Sequence, residues 1–311
     1  MHKKVILCYG KTPTSPGRYL EDGFRELGVP VEVVTDELDG NQIQADEYEG
    51  IIFIESPNAP IARNMDCCDL PRMFWIHHGK HHLKKNLELI RSYQPDLILM
   101  AHSLHLAKHF RVEVCFFPFA VASGIFNSRR TWDKRVYNAA FVGRTAKLFY
   151  RVRNRNLRRI RHYLQRRNKP YCFVQNVTPE QMAQIYSHAK IVFNQSSDKV
   201  PETMNMRIFE ALGCGALLLT NEVPKQELLF KKNVHYIIFN GSKDMMRKLL
   251  FYLSRPDLAS KIANQGYRHV MEHHTYAHRA QIALKMLRKL ADKEITGGSE
   301  GDEPEDHSLL W

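Results

Sequence analysis

Apolar residues along this chain gather in short runs, separated by stretches in which they recur every third or fourth position. Residues 4–9 (KVILCY) form one such run, ended by Gly10, and suit a buried parallel strand. In residues 18–27, Tyr19, Leu20, Phe24 and Leu27 stand at helical spacing. Gly28 closes that helix and VPVEVVT (29–35) follows as a second strand, which completes a β-α-β unit. Further apolar strands are predicted at 50–56 (GIIFIES), 72–78 (RMFWIHH), 95–103 (PDLILMAHS) and 112–121 (VEVCFFPFAV), with a helix over 83–93. Strands alternating with helices at this spacing predict a doubly wound α/β sheet.

Residues 122–135 (ASGIFNSRRTWDKR) are polar and unperiodic, and read as an interdomain link. A second series follows. NAAFVGR (138–144) is a strand ending in Gly-Arg, and an Arg-rich helix runs to about residue 165. YCFVQNV (171–177) is a strand, and PEQMAQIYSHA (179–189) a helix with Pro179 in its first turn. KIVFNQS, RIFEALGCG and ALLLTN repeat the strand–helix–strand order. A strand at 234–239, a helix at 242–253 and a nearly all-helical pattern over 256–290 complete the series. Two tandem doubly wound domains are therefore expected, 1–125 and 136–275. A C-terminal helix (276–292) is expected to pack across their junction, and an acidic disordered tail (293–311) to end the chain. Such an architecture places a cleft at the carboxyl ends of both sheets.

Composition narrows the partners. The 311 residues hold 45 Lys plus Arg against 33 Asp plus Glu, a formal charge of +12 that invites an anionic partner. No apolar run approaches the ~18–20 residues of a membrane span. The basic, briefly apolar start reads as a first strand and not as a secretion signal. Cys8, Cys67, Cys68, Cys115, Cys172 and Cys214 show no CxxC pair and no regular framework. They predict reduced, mostly buried thiols in a cytoplasmic protein, while the positive charge leaves a peripheral position on an anionic membrane open.

The chemistry concentrates in PETMNMRIFEALGCGALLLTNEVP, residues 201–224. Seven residues separate Glu202 from Glu210, and a helix is predicted to open at Met206 with Asn205 as its N-cap. Amide N–H groups there would face an anion, aided by the helix dipole. Glu210, one turn in, could accept hydrogen bonds from a ribose diol, and Glu202 could meet a sugar ring. This stretch resembles the E-x7-E signature of retaining GT-B glycosyltransferases. Its wording is closer still to the CgeB-like group of spore-maturation and cell-surface glycosyltransferases. CFFPFAVASGIF (115–126), AAFVGR (139–144), MAQIYSHAKIVFNQS (182–196) and GYRHVMEHHTYAHRA (266–280) resemble that group's segments in the same order.

The resemblance implies a GT-B fold and transfer of a sugar from a nucleotide-sugar donor, with retention, to a cell-surface or spore-surface glycan or glycoprotein. The donor-binding residues it implies are Gly143, Arg144, Arg151, Asn205, Met206 and Glu210, and the catalytic ones Glu202 and His78. Neither a metal nor a cofactor is implied, because arginines and helix-end amides would hold the diphosphate. The sequence departs from the group's pattern at Ala122 and at Glu222-Val223-Pro224. HHGKHH (77–82) has His pairs at metal-ligand spacing, but Gly79 interrupts the helix and no acidic or Cys residue is placed along the chain to complete a set. Eight arginines in residues 151–167 cannot share one helix face. They suit a solvated surface, diphosphate contact from the helix start, or an anionic membrane surface. No nucleic-acid-binding signature accompanies the charge, so no nucleic-acid partner is expected. The alternative function is a non-catalytic binding or assembly protein on the same fold.

Overall fold

A computed structural model of the chain describes residues 3–12, 15–77, 82–127, 129–145, 150–196 and 204–295. Two compact units are present: unit 1 comprises Met1–Pro118 with Tyr276–Trp311, and unit 2 comprises Phe119–Thr275.

Unit 1 begins with β1 (Lys4–Cys8), α1 (Pro16–Glu26) and β2 (Val31–Val34), the expected β-α-β unit. Helix α1 starts where Ser15 Oγ accepts the Gly17 N–H (3.2 Å) and Pro16 needs no donor of its own. Then come β3 (Glu37–Asp39), β4 (Tyr48–Ile54), β5 (Ile61–Arg63), β6 (Arg72–Ile76), α2 (Leu83–Tyr93), β7 (Leu97–Met100) and β8 (Val114–Phe116). Six strands form one parallel sheet in the order β2-β1-β4-β6-β7-β8. Strands β3 and β5 pair separately; at three residues each they are too short for an alternating pattern to announce them.

Unit 2 runs β9 (Tyr137–Val142), α3 (Arg151–Gln165), β10 (Tyr171–Val174), α4 (Pro179–Ser187), β11 (Ala189–Asn194), α5 (Met206–Gly213), β12 (Leu217–Asn221), β13 (Ile237–Phe239), α6 (Gly241–Leu253) and α7 (Pro256–His273). Its five strands are all parallel, ordered β10-β9-β11-β12-β13. Ala139, Phe141, Ile191, Phe193, Leu217 and Leu219 fill one side of the sheet, with Leu157, Ile160 and Leu164 of α3 packed on them. Helix α4 carries a capping box, Thr178 with Gln181, at the start marked by Pro179.

Residues 122–135, expected as a link, lie within unit 2. Phe126 is fully buried and Arg135 is 4% exposed. The Arg135 guanidinium donates to five carbonyls, those of Arg130 (3.1 Å), Tyr186 (3.2 Å), Ala189 (2.8 Å), Cys214 (3.1 Å) and Gly215 (2.6 Å). A polar, aperiodic stretch thus holds a structural anchor that pattern reading cannot see.

The helical pattern over 256–290 breaks into α7 and α8 (Tyr276–Ile295). The break falls where the Val121 N–H donates to the His274 carbonyl (2.9 Å) and Val121 bridges Thr275 in parallel, which diverts the backbone from its helical bonds. Helix α8 belongs to unit 1 and lies against α1, with Tyr19 and Tyr276 rings 5.4 Å apart. Arg279 is fully buried and donates to the Pro118 carbonyl (2.9 Å); burial pushes its pKa down to about 9. Gly23 admits the close crossing, since a Cβ there would run into the Tyr276 carbonyl.

Gly23→Ala is therefore expected to cost about 1–3 kcal/mol by overpacking this crossing. Gly124→Ala, whose Cβ would meet nothing, serves as the control. Urea melts of both variants check the difference.

Candidate functional site

The order β10-β9-β11-β12-β13 reverses direction between β9 and β11, and ligands of doubly wound sheets bind beyond the carboxyl ends of such a pair. Two short segments leave the sheet there, Gly143-Arg144 after β9 and Gln195-Ser196 after β11. Arg153, on the first turn of α3, ties them together. Its Nη1 donates to the Arg144 carbonyl (3.0 Å), while Nε and Nη2 donate to the Gln195 carbonyl (2.9 and 2.6 Å). The guanidinium also lies 4.0 Å from the Tyr150 ring centroid.

Helix α5 starts in the same place, one connection beyond β11. Asn205 occupies the N-cap position with extended backbone, as expected, but its side chain makes no cap bond. Its Nδ2 donates instead to Ser196 Oγ (3.1 Å). The side chain therefore fixes the loop, and the first amides of α5 have no side-chain acceptor among the described residues. Met206 opens the helix, half-buried.

Arg207, which the sequence reading did not select, is the cation held at this point. Gly143 has φ +154, and a Cβ added to it would run into the Arg207 guanidinium. Absence of that side chain lets Arg207 lie against the strand end, over the Phe141 ring (5.9 Å), with Nε 3.4 Å from Asn205 Oδ1. The overlooked signal was the Arg-x-x-Glu spacing of Arg207 and Glu210, which puts both on one helix face.

Glu210 is 4% exposed, and its Oε2 has no hydrogen-bond partner among the described residues. Burial pushes its pKa up to about 8, with Arg207 opposing the shift. The fully buried phenol of Tyr186 is likewise pushed up, first by burial and then by Glu210. An unpartnered buried carboxyl is costly to retain, so this one suits a ligand that brings donors of its own.

Arg144 is exposed beside Gly143, and Arg151 is exposed on the first turn of α3. The structure thus brings together Gly143, Asn205, Met206, Glu210 and Arg207, with Arg144 at the adjoining strand end. Arg151 stands on the helix that Arg153 anchors. Glu202 lies outside the described residues. Beyond β11, β12 and β13, a polar pocket of about 270 Å³ is lined by Asn156, Gln195, Asn221, Glu222 and Asn240.

Unit 1 carries a second cluster at the carboxyl ends of β4 and β6. Glu55, 2% exposed, accepts the His77 N–H (2.7 Å) and the Asn86 amide (3.2 Å), and His82 Nδ1 lies 3.3 Å from its Oε1. Linear spacing gave HHGKHH no acidic neighbour; the parallel register of β4 and β6 supplies one from 22 residues upstream. His78 lies outside the described residues. Among the described residues no group of three metal-ligating side chains converges, and no helix is long and apolar enough to cross a membrane.

Two parallel doubly wound sheets, one with a buried carboxyl and a helix start at its switch point, make an architecture suited to a phosphate-bearing nucleotide at the carboxyl edge. The chain is similar in structure to an alpha-glucosyltransferase in complex with UDP and a mismatched 13-mer DNA (TM-score 0.64, 12% identity, 92% of this chain and 100% of that one). It is also similar to the HepE protein of Anabaena in complex with UDP and glucose (0.61, 11%, 93% and 100%). A third is sucrose-phosphate synthase of Thermosynechococcus elongatus (0.56, 13%, 93% and 99%). At these identities the likeness establishes the GT-B fold. No curated protein matched the sequence. Residues 130–285 match the family described as glycosyl transferase-like. The chain belongs to this glycosyl transferase-like family, and is a glycosyltransferase of GT-B type.

The raised Glu210 pKa carries a stability consequence. Unfolded, the carboxyl titrates at its ordinary value of 4.5; folded, at about 8. Between these values the folded state holds the extra proton, so this group's contribution to stability falls as pH rises through the window. Glu210→Gln removes that contribution. Urea melts should show the variant gaining on wild type between pH 5 and pH 8.

Proposed function

We propose that the chain transfers a sugar from a nucleoside-diphosphate sugar, with a UDP-sugar first among the candidates, to a cell-surface or spore-surface glycan or glycoprotein. The observation that carries this reading is the buried Glu210 carboxyl with an unpartnered oxygen, one turn inside an uncapped helix and beside Arg207. Ribose hydroxyls would donate to Glu210. The diphosphate would lie against the first amides of α5 at Asn205 and Met206, flanked by Arg207, Arg144 and Arg151, with Gly143 leaving room for its approach.

In glycosyl transfer the anomeric carbon bonds to an acceptor hydroxyl oxygen, whose proton passes to the departing diphosphate or to solvent. The bond between the anomeric carbon and the diphosphate oxygen breaks, and negative charge develops on the leaving group. Guanidinium groups and helix-start amides stabilise that charge without a metal ion. Glu202 would meet the transferred sugar, and His78 would be the second catalytic residue. Retention and the CgeB-like grouping rest on the E-x7-E spacing and on the four segments that resemble that group. UDP is favoured because two of the similar structures were solved with it.

The acceptor carries an anionic component in this reading. Arg155, Arg158, Arg159, Arg161 and Arg166 of α3 and its end are exposed and form no ion pair among the described residues, which fits docking on an anionic membrane surface. Action in the cytoplasm is supported by six cysteines that are all free thiols.

A thermal-shift and hydrolysis screen over UDP-, GDP-, TDP- and CDP-sugars tests the reading. One nucleoside diphosphate should raise the melting temperature. Arg207→Ala should weaken that ligand about 10- to 100-fold, in line with about 1.5–3 kcal/mol for hydrogen bonds to a charged group. Glu210→Ala should abolish turnover while the protein stays folded. Unaltered turnover in Glu210→Ala, or no donor bound by wild type, would sink the assignment.

A further inference from the structure

The sheet of unit 2 has a second basic concavity at its opposite edge. Arg135 stands just before β9. Its carbonyl partners lie at the amino end of β11 (Ala189), before β12 (Cys214 and Gly215) and in the last turn of α4 (Tyr186). In a parallel sheet all of these mark the amino edge, away from the carboxyl ends that carry the donor-type site. A pocket of about 600 Å³ opens there, lined by Arg129, Arg130, Arg135, Gly215, Ser260 and Asn264, among others.

Three arginines face this pocket, and none forms an ion pair among the described residues. Asp133 is the acid in the lining. It is exposed, and its carboxylate is engaged by the Thr131 side chain and by local backbone, which lower its pKa in that order. Arg135 donates all five of its N–H groups to carbonyls, so it offers the pocket charge and no free donor. Burial pushes its pKa down to about 10, and neighbouring Arg130 adds to the shift. A buried guanidinium with no acid partner leaves positive potential at its open side, and an anion placed there relieves it.

Arg129 and Arg130 are the free forks. Both are exposed, and Arg129 is steadied over the Tyr267 ring at 4.8 Å. Planar guanidinium groups bind phosphate through paired N–H donors. Ser260 and Asn264, four residues apart on α7, present a hydroxyl and an amide from one helix face. The volume is several times that of a phosphate ion and lies within the range of small-molecule sites.

We propose that this pocket binds a phosphate-bearing small molecule at the amino edge of the unit 2 sheet, at a site separate from the one containing Glu210. Both sites would attract phosphate, so the test must tell them apart. Inorganic pyrophosphate is titrated calorimetrically, at constant ionic strength, into the full chain as wild type, as Arg129→Ser/Arg130→Ser and as Arg207→Gln. Arg135 is left intact because five carbonyls tie it to the fold, and thermal melts establish that each variant is folded.

Binding that persists in Arg207→Gln and weakens about tenfold or more in the double variant, a loss of about 1.4 kcal/mol, supports the proposal. Two binding events in wild type, one removed by each variant, support it equally. Unchanged binding in the double variant overturns it, as does binding lost in Arg207→Gln alone. Absence of any binding by wild type at millimolar pyrophosphate also overturns it. Because the readout is pyrophosphate at Arg129 and Arg130, it stands or falls apart from turnover of any sugar donor.

Discussion

One guanidinium, that of Arg153, joins the two strand ends between which the sheet of unit 2 reverses. Strands β9 and β11 hydrogen-bond side by side only as far as Val192 and Ala140. Beyond that register the chain leaves in two directions, and the backbone carbonyls of Arg144 and Gln195 converge on one guanidinium. Arg153 satisfies both while its own charge stacks on Tyr150. Asn156, one turn later, extends the same tie by donating to Gln195 Oε1 (2.9 Å) and accepting from Ser242 (2.6 Å). The carboxyl edge is rigid because α3 is bolted to it.

On that frame the site sets a buried acid beside a half-buried cation. Glu210 loses its water, and its Oε2 gains no donor among the described residues. Arg207 offsets part of the cost but remains turned toward the strand end at Gly143. An arrangement with spare hydrogen-bonding capacity and a fixed positive charge is poorly matched to an empty state and well matched to a polyhydroxylated anion. The same reasoning divides the arginines of this basic chain. Arg153 and Arg135 are internal braces for carbonyls, Arg207 belongs to the site, and most of the remainder on α3 point into solvent.

Much of this was legible in the amino-acid order. Apolar runs such as KVILCY and KIVFNQS became β1 and β11, and the alternation with helical spacing foretold two parallel sheets. Glu210, Asn205, Met206 and Gly143 were picked out and do come together. Arg207 was missed because its role depends on an absent side chain at Gly143, 64 residues away in sequence. Glu55 was missed because it meets His77 only through the parallel register of β4 and β6. Arg135 was passed over inside an apparent link, since a side chain that binds backbone carbonyls leaves no partner residue type to recognise. Local pattern reveals elements; contacts made by backbone or by distant register stay hidden from it.

Helix α8 has a consequence for how the protein is made. Its partner surface on α1, with Tyr19 and the bare backbone of Gly23, is synthesised about 250 residues before α8. All of unit 2 is translated in between, and the whole interval is a wait of about 13–50 s at ordinary ribosomal rates. Unit 2 is contiguous and can complete its sheet on the ribosome, whereas unit 1 stays open along α1 until α8 has emerged. Nascent chains thus keep α1 uncovered throughout that wait, and a truncation that removes α8 leaves that exposure permanent.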